Sequence, residues 1–552
     1  MNNLNFLVDV LKESPVFKTL EKNVKPGRTV CASGLSTINK SNIIYALCRL
    51  KGVTAFCLAS DEKEAQTLCN DLSCMGLRAY VYPVRDFNFL DFQSRSHEYE
   101  HARLKVLLKL INHECDVAIA CVDAAAQLTV PKNVLEQSVI EFEEGRELSL
   151  EKATKALTLL GYERFDAVEG SGQFSLRGGI LDFFMPDSDY PVRCEFWGDE
   201  ITDLSYFDIE TQRRFKKADK ITLSPSTEIV IEDRAALADK IEHKAKLLRS
   251  KNSAKAKEKL FSEAELIRSG AMIANADKFI NQIYDKPESL FDYLDRNTLV
   301  FASEFTAIQE RGKSMDFISN ETLMQGFEDG TLCRGFDRFA LTFNECTEFL
   351  QSHGTIVLEN FVHGSMPIKL SEIISFSTKQ LSAWGGSYKQ LKEDVDGLFT
   401  PESKGVIFAG TERAAKNLCD TFNADGINAV YSEGADKISK GELLVMQGAL
   451  SAGFEYPSQK FFAITYSQVS YRPEKSKKKK KRTGQEIYSL SELAPGDYVV
   501  HNVHGIGVFG GIRKIDTHGV IKDYIKIDYA KGDVLYVPVT QLDMVAKYIG
   551  PK

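Results

Sequence analysis

A multidomain chain of α/β and α+β modules, closing in a small all-β module, is the fold class this sequence predicts. Three observations predict it. First, short apolar runs alternate with helical segments over about 28–145 and again over about 350–470. That texture makes a mostly parallel sheet covered by helices. Second, residues 146–212 and 487–550 alternate apolar with polar and are punctuated by Gly, Pro and Asp. Such segments make antiparallel hairpins with one wet face. Third, 552 residues are too many for one core, at about 100–200 residues per domain.

In chain order, "TVCAS" and "VTAFCLAS" are short buried strands, and "NKSNIIYALCRL" and "DEKEAQTLCNDLSCMG" are helices, the second capped by Ser60-Asp61. "DVAIACVDAAAQL" is a core strand running into a helix. "SLEKATKALTLLGY" is a helix ending at Gly161, ahead of the hairpins "GQFSLRGGILDFFMP" and "YPVRCEFWGDEITDLSYFD". "DRAALADKIEHKAKLLRS" and "AKAKEKLFSEAELIRSG" have helical periodicity. "GTIVLE", "GVIFAG", "INAVYS", "GELLVMQG" and "KFFAITY" are strands of a second α/β region. In the last module, "AKGDV" is a hairpin turn between "YIKIDY" and "LYVPV", and Gly505, Gly507, Gly510 and Gly511 permit bends or close backbone approach. The segments are therefore 1–145, 146–212, 213–350, 351–468, a linker at 469–486, and 487–552.

Hydrophobic residues are 43% and charged residues 26% of the chain, an ordinary globular balance. No apolar run approaches the ~18–20 residues of a membrane helix, and "MNNLNFLVDVLKESPVF" lacks the basic start of a signal peptide. The eleven cysteines include no C-x-x-C pair, and Cys31, Cys57 and Cys121 lie in apolar runs. A reducing cytoplasm fits, with no metal site expected. A net charge of −8 argues against wrapping nucleic acid with the whole surface. "KSKKKKKR" at 475–482 has seven positive charges in eight positions and reads as a solvated tether between domains, with an electrostatic contact to DNA or RNA as the lesser reading.

"CASGLSTINKSNIIYAL", residues 31–47, is close to a phosphate-binding loop. Gly34 holds the first glycine place of G-x-x-x-x-G-K-[ST], Lys40 and Ser41 the last two, and Asn39 replaces the second glycine. A working loop closes backbone N–H groups around phosphates, and an ATPase also needs a carboxylate for Mg²⁺ at the end of a later core strand. "DVAIACVD" offers only the lone Asp123. The loop reads as a relic kept for its backbone turn. No catalytic residue and no cofactor are expected in this chain.

Residues 159–214, "LLGYERFDAVEGSGQFSLRGGILDFFMPDSDYPVRCEFWGDEITDLSYFDIETQRR", carry G-Y-x-x-x-D-x-V, then R-G-x-x-L-D-x-F, then R-x-x-F and D-E-I. This pattern resembles the UvrA-contacting insert of UvrB, and more closely the corresponding module of the bacterial transcription-repair coupling factor family (Mfd). "LAPGDYVVHNVHGIGVFGGI…DYIKIDYAKGDVLYVPVTQL" is similar to that family's RNA-polymerase-interaction domain, shared with CarD-type regulators.

The resemblance implies UvrB-like α/β domains whose first has lost ATPase function, an antiparallel β insert, and a small CarD/Tudor-like β-barrel. The role of 351–468 is unassigned. It implies UvrA and the β subunit of RNA polymerase as partners. Arg177 and Arg193 fall on the insert's arginine positions, with an internal salt bridge as the other reading, and Phe183 with Phe196 or Trp197 are its aromatic anchors. Where some members have Arg after the Gly-Tyr pair, this chain has Glu163, with Arg164 next. Ile515, after Arg513 and Lys514, falls on a polymerase-contact position, or else in the module's core; His501 and His504 read as structural. The family's ATP- and Mg-dependent DNA translocase motor, which displaces stalled polymerase and carries most DNA contact, would begin where this chain stops, at Lys552. The expectation is an N-terminal, non-enzymatic, cytoplasmic adaptor linking stalled polymerase to UvrA of nucleotide excision repair. A UvrB-type DNA-processing ATPase and a CarD-like transcription regulator are the alternatives.

Overall fold

The computed structural model describes residues 4–85, 97–138, 140–248, 253–270, 276–361, 366–381, 388–466, 484–486, 495–501, 505–517, 520–529, 534–538 and 545–548. It divides into two units, Met1–Val469 and Ser470–Lys552. The basic block at 475–482 and His504 lie outside the described residues.

The first sheet has seven strands: β1 Val30–Ser33, β2 Ala55–Ala59, β3 Ala79–Tyr82, β4 Val117–Cys121, β5 Leu299–Ser303, β6 Thr355–Leu358 and β7 Glu372–Ser375. They lie in the order β7-β1-β6-β5-β2-β4-β3, and every pairing is parallel. Strands β1, β2, β4 and β6 are buried at every position, as expected of central strands covered on both faces. The helix Thr37–Lys51 follows β1 and ends at Gly52, which takes the left-handed C-cap conformation (φ 63°). Asp61 caps the helix Glu62–Cys74 by accepting from the Glu64 N–H at 2.7 Å, as the sequence indicates.

The boundary expected at 351 falls inside this sheet. "GTIVLE" forms β6 between β1 and β5, and β7 follows on the edge. The second sheet begins only at Lys379–Leu381; its other strands are Lys404–Phe408, Ala429–Ser432, Glu442–Met446, Gly453–Tyr456 and Phe461–Thr465. Buried parallel strands all read as short apolar runs, so texture alone does not reveal which sheet claims one. The helix Thr37–Lys51 lies within one core that includes side chains of both sheets, such as Ile356, Val406, Phe408 and Leu444. That placement explains why Ile38–Cys48 are buried without a polar face.

The insert is a six-stranded sheet from Glu163–Arg164 to Arg214–Lys217. A ribbon pairing Ile140–Glu143 with Lys220–Leu223 flanks it in sequence, so the module starts and ends several residues beyond 146–212. Its helix Leu150–Leu159 is capped by Ser149, and Gly161 just beyond it takes φ 87°. The helices expected over 232–268 are Arg234–Leu247 and Ser253–Arg268. No helix of the described residues is long and apolar enough to cross a membrane.

The second unit is an antiparallel sheet of β8 Gly484–Glu486, β9 Tyr498–His501, β10 Gly505–Thr517, β11 Val520–Asp528, β12 Val534–Pro538 and β13 Val545–Tyr548, in the order β8-β13-β9-β10-β11-β12. The last residues of the expected linker thus form β8, which pairs with β13. Strands β11 and β12 pair antiparallel, Asp528 opposite Val534; residues 530–533 of the expected hairpin turn lie outside the described residues. A register shift between Phe509 and Ile512 marks a bulge, where Gly511 takes φ 90°. The core of this unit is Val499, Phe509, Ile525, Ile527, Val537 and Val545.

Candidate functional site

The loop after β1 is built into the protein interior. Gly34 takes φ 78°, and a Cβ built there would stand 2.2 Å from the Phe376 carbonyl oxygen, so only glycine fits. The Gly34 and Leu35 N–H groups, which a phosphate loop would turn toward its ligand, donate to the backbone carbonyls of Asn360 and Glu359 at 3.2 and 3.1 Å. Asn39 is fully buried and accepts from Ser36 Oγ at 2.6 Å. Ser41 Oγ lies 3.4 Å from Asp71 Oδ2, and Asp71 in turn accepts from the Ser451 N–H and Oγ, both at 2.7 Å. Burial pushes the Asp71 carboxyl up to about 6.

Lys40 is 2% exposed. Its Nζ donates to Glu304 Oε1 at 2.5 Å, Ser303 Oγ at 2.9 Å and Glu64 Oε1 at 3.3 Å. Burial pushes the Glu64 carboxyl up, but the Lys40 charge and hydrogen bonds from Ser303 and Ser60 outweigh it and hold the group below its ordinary range. Asp123, the one candidate Mg²⁺ carboxylate, is also taken: Arg311 grips both of its oxygens, at 2.9 and 2.8 Å, and also binds Glu62. Glu62, Cys121 and Asp123 bring ligand-type atoms within 4.8 Å of one another. Their chemistry does not suit a cation, because Arg311 already neutralises both carboxylates and burial pushes the Cys121 thiol up to about 12.

In the insert, two arginines converge on one buried acid. Asp182, its side chain 1% exposed, accepts from Arg193 Nε and Nη2 at 2.7 and 2.8 Å and from Arg177 Nη2 at 2.8 Å. Arg193 also donates to the Gln212 backbone carbonyl at 3.1 Å and lies 4.4 Å over the Phe207 ring. It is 13% exposed, and the bonds to Asp182 hold its charge in place. Arg193 is therefore committed inside the module. Arg177 keeps half of its side chain in solvent.

The aromatic expectation needs correction. Phe183 is fully buried and Phe196 8% exposed, both in the module's own core, so neither is available as a surface anchor. Strand alternation puts Trp197 on the other face, 83% exposed at the head of a tight turn where Gly198 takes φ 63°. Glu163, Arg164 and Phe165 are exposed as well. Sequence reasoning quoted Asp182 within a motif and missed its role; the pattern R-x₄-D-x₁₀-R was the available signal. For Glu304 and Glu64 there was none, since they lie 264 and 24 positions from Lys40.

In the second unit, Arg513, Lys514 and Ile515 lie on β10, opposite Tyr524, Asp523 and Lys522. Arg513 is exposed; the side chains of Lys514 and Ile515 are outside the described residues. On β10, only Gly505–Val508 pair with β9, so among the described residues Ile512–Thr517 pair on one side alone, with β11. His501 is 7% exposed.

Two family models match: the UvrB interaction domain over residues 140–229 and the CarD-like/TRCF RID domain over residues 493–549. The first coincides with the insert and its basal ribbon, the second with most of the second unit. Among curated relatives, a transcription-repair-coupling factor of Bacillus subtilis (strain 168) is 30% identical over 98% of this chain and 47% of its own length. Relatives of the same name from Staphylococcus epidermidis are 27% identical over 85% of the chain and 40% of the relative, and from Staphylococcus aureus 24% over 99% and 47%. The chain spans just under half the length of these relatives. Two domains in this order, and a match along nearly the whole chain, identify it with the N-terminal portion of the transcription-repair-coupling-factor family.

Proposed function

We propose that this chain is an adaptor: the insert recruits UvrA, and the second unit binds RNA polymerase through its β subunit, so that nucleotide excision repair is brought to a stalled transcription complex. The observation that carries this is the presence of both interaction domains in one chain. On the UvrA side the reading rests on Arg177, which Asp182 orients while leaving half its side chain to a partner, with Trp197 as the exposed aromatic. On the polymerase side it rests on the one-sided pairing of Ile512–Thr517, an edge to which a partner strand can add. Closure of the second sheet into a CarD/Tudor-like barrel belongs to the same proposal.

In this reading the chain does not hydrolyse ATP. The loop amides, Lys40 and Asp123 all have internal partners. Translocation on DNA, with ATP and Mg²⁺, belongs to the longer proteins of the family. The cytoplasm is the matching compartment. A free-standing CarD-like regulator leaves residues 1–469 without a task, and a UvrB-type ATPase needs the closed loop open.

The test is capture of purified UvrA and purified RNA polymerase by the chain, separately and together, alongside an ATPase assay with DNA present. Binding of both without turnover is expected. Failure to capture either partner, or turnover abolished by Lys40→Ala, overturns the reading.

A further inference from the structure

The C-terminal ends of β1, β5 and β6 meet where open parallel sheets hold their ligands, in the crevice beyond the strand ends. Four ionisable side chains converge there from four elements: Lys40 from the helix after β1, Glu64 from the helix after β2, Glu304 just beyond β5 and Glu359 just beyond β6. Of these, Glu304 is held in the manner of a bound ligand. Its Oε1 accepts from the Lys40 ammonium at 2.5 Å and from the backbone N–H of Asn360 at 2.9 Å. A lysine and a backbone amide on one anionic oxygen is the arrangement that phosphate loops use.

Two further observations mark Glu304 as special. Its backbone is left-handed, φ 55° and ψ 66°, which a residue with a Cβ adopts only when its surroundings hold it there. Beside it, Glu359 is fully buried; its Oε1 accepts from the Phe305 N–H at 2.8 Å, and its Oε2 is a buried oxygen with no hydrogen-bond partner among the described residues. Burial, and then the neighbouring charge of Glu304, push the Glu359 carboxyl upward, which suits a protonated acid beside an ionised one.

We propose that Glu304 is a built-in ligand: its carboxylate takes the place of a phosphate against Lys40, so the crevice is an oxyanion site filled from within. The site would take a small oxyanion, a carboxylate or phosphate, only when Glu304 is withdrawn. This rests on the reading that the loop holds no nucleotide. Tight nucleotide binding by the unaltered chain would sink that reading; the variants below test the ligand role by itself.

Glu304→Gly deletes the carboxylate and suits the left-handed backbone. Thermal unfolding of the full chain would be followed in chloride and in potassium phosphate or acetate at matched ionic strength. Phosphate stabilises folded proteins generally, so the unaltered chain and Lys40→Met/Glu304→Gly set the baseline. The expected result is an additional, saturable rise in Tm for Glu304→Gly alone, lost in the double variant. A folded Glu304→Gly that shifts no more than the baseline overturns the proposal. Should Glu304→Gly not fold, Lys40→Met, Glu304→Gln and their combination decide it by urea unfolding. A double variant that loses clearly less stability than the two single losses added together supports the built-in ligand, and additive losses overturn it.

Discussion

Lys40 and Arg177 are both cations that sequence motifs single out, and the protein treats them in opposite ways. Lys40 stands at the strand ends of the first sheet, 2% exposed, with Glu304, Glu64 and Ser303 around its ammonium. Arg177 stands on the insert with one carboxylate partner and half its surface in water. A partner that encloses a cation converts it into structure, whereas one that holds it from one side orients it for something else. Arg193 shows that the same module can do either, since it shares Asp182 with Arg177 yet is 13% exposed and stacked on Phe207.

The contrast is most easily broken at Lys40. Lys40→Met strands Glu64 and Glu304 without their cation, and removing one partner of a buried pair costs about 3–5 kcal/mol. Urea unfolding should show that loss, while affinity for UvrA stays unchanged in native conditions. A stability within about 0.5 kcal/mol of the unaltered chain would mean that Lys40 is not an enclosed cation.

Ile515→Arg extends the comparison to the second unit. If Ile515 meets the polymerase β subunit, a charge placed where an apolar contact must be desolvated should abolish binding of an isolated β fragment. Circular dichroism should remain that of the folded chain. Unfolding would assign Ile515 to the core, and unchanged affinity would remove it from the interface.

Arg177→Ala and Arg193→Ala form the pair that sharpens the contrast. Arg177→Ala should weaken UvrA binding by about 1–3 kcal/mol, the range for a charge-assisted contact, and leave polymerase binding intact. Arg193→Ala should instead lower the stability of the insert, because it leaves Asp182 with one partner fewer. Calorimetry with UvrA and thermal unfolding separate the two. Equal effects on UvrA affinity would erase the distinction.

The last comparison is a pH dependence. The Glu359 carboxyl rises from an ordinary 4.5 to about 7 in the fold, through burial first and the Glu304 charge after it. The folded chain therefore keeps a proton that the unfolded chain releases between those values. This contribution to stability is complete below about pH 4.5 and is lost as the pH climbs through about 7. Glu359→Gln supplies a permanent N–H in place of the proton, so its Tm relative to the unaltered chain should rise from pH 5 to pH 8. A difference that is flat with pH would remove the proton from Glu359.

Local pattern made much of this molecule legible in the sequence. Strand and helix positions, the Asp61 cap, the hairpins of the insert and the glycine-bent strands of the second unit follow from periodicity and turn chemistry, which act over a few residues. Asn39 and the lone Asp123 were enough to doubt the loop. Tertiary structure alone decided the rest. The strand at 355–358 enters the first sheet because a gap between β1 and β5 accepts it, and no local property of "GTIVLE" names that gap. Phe196 and Trp197 are adjacent aromatics, and only the pairing register turns one inward and the other out. Lys40 finds Glu304 across 264 positions because two parallel strands end side by side around a third, and electrostatic partnership follows distance in space, which the order of residues does not encode.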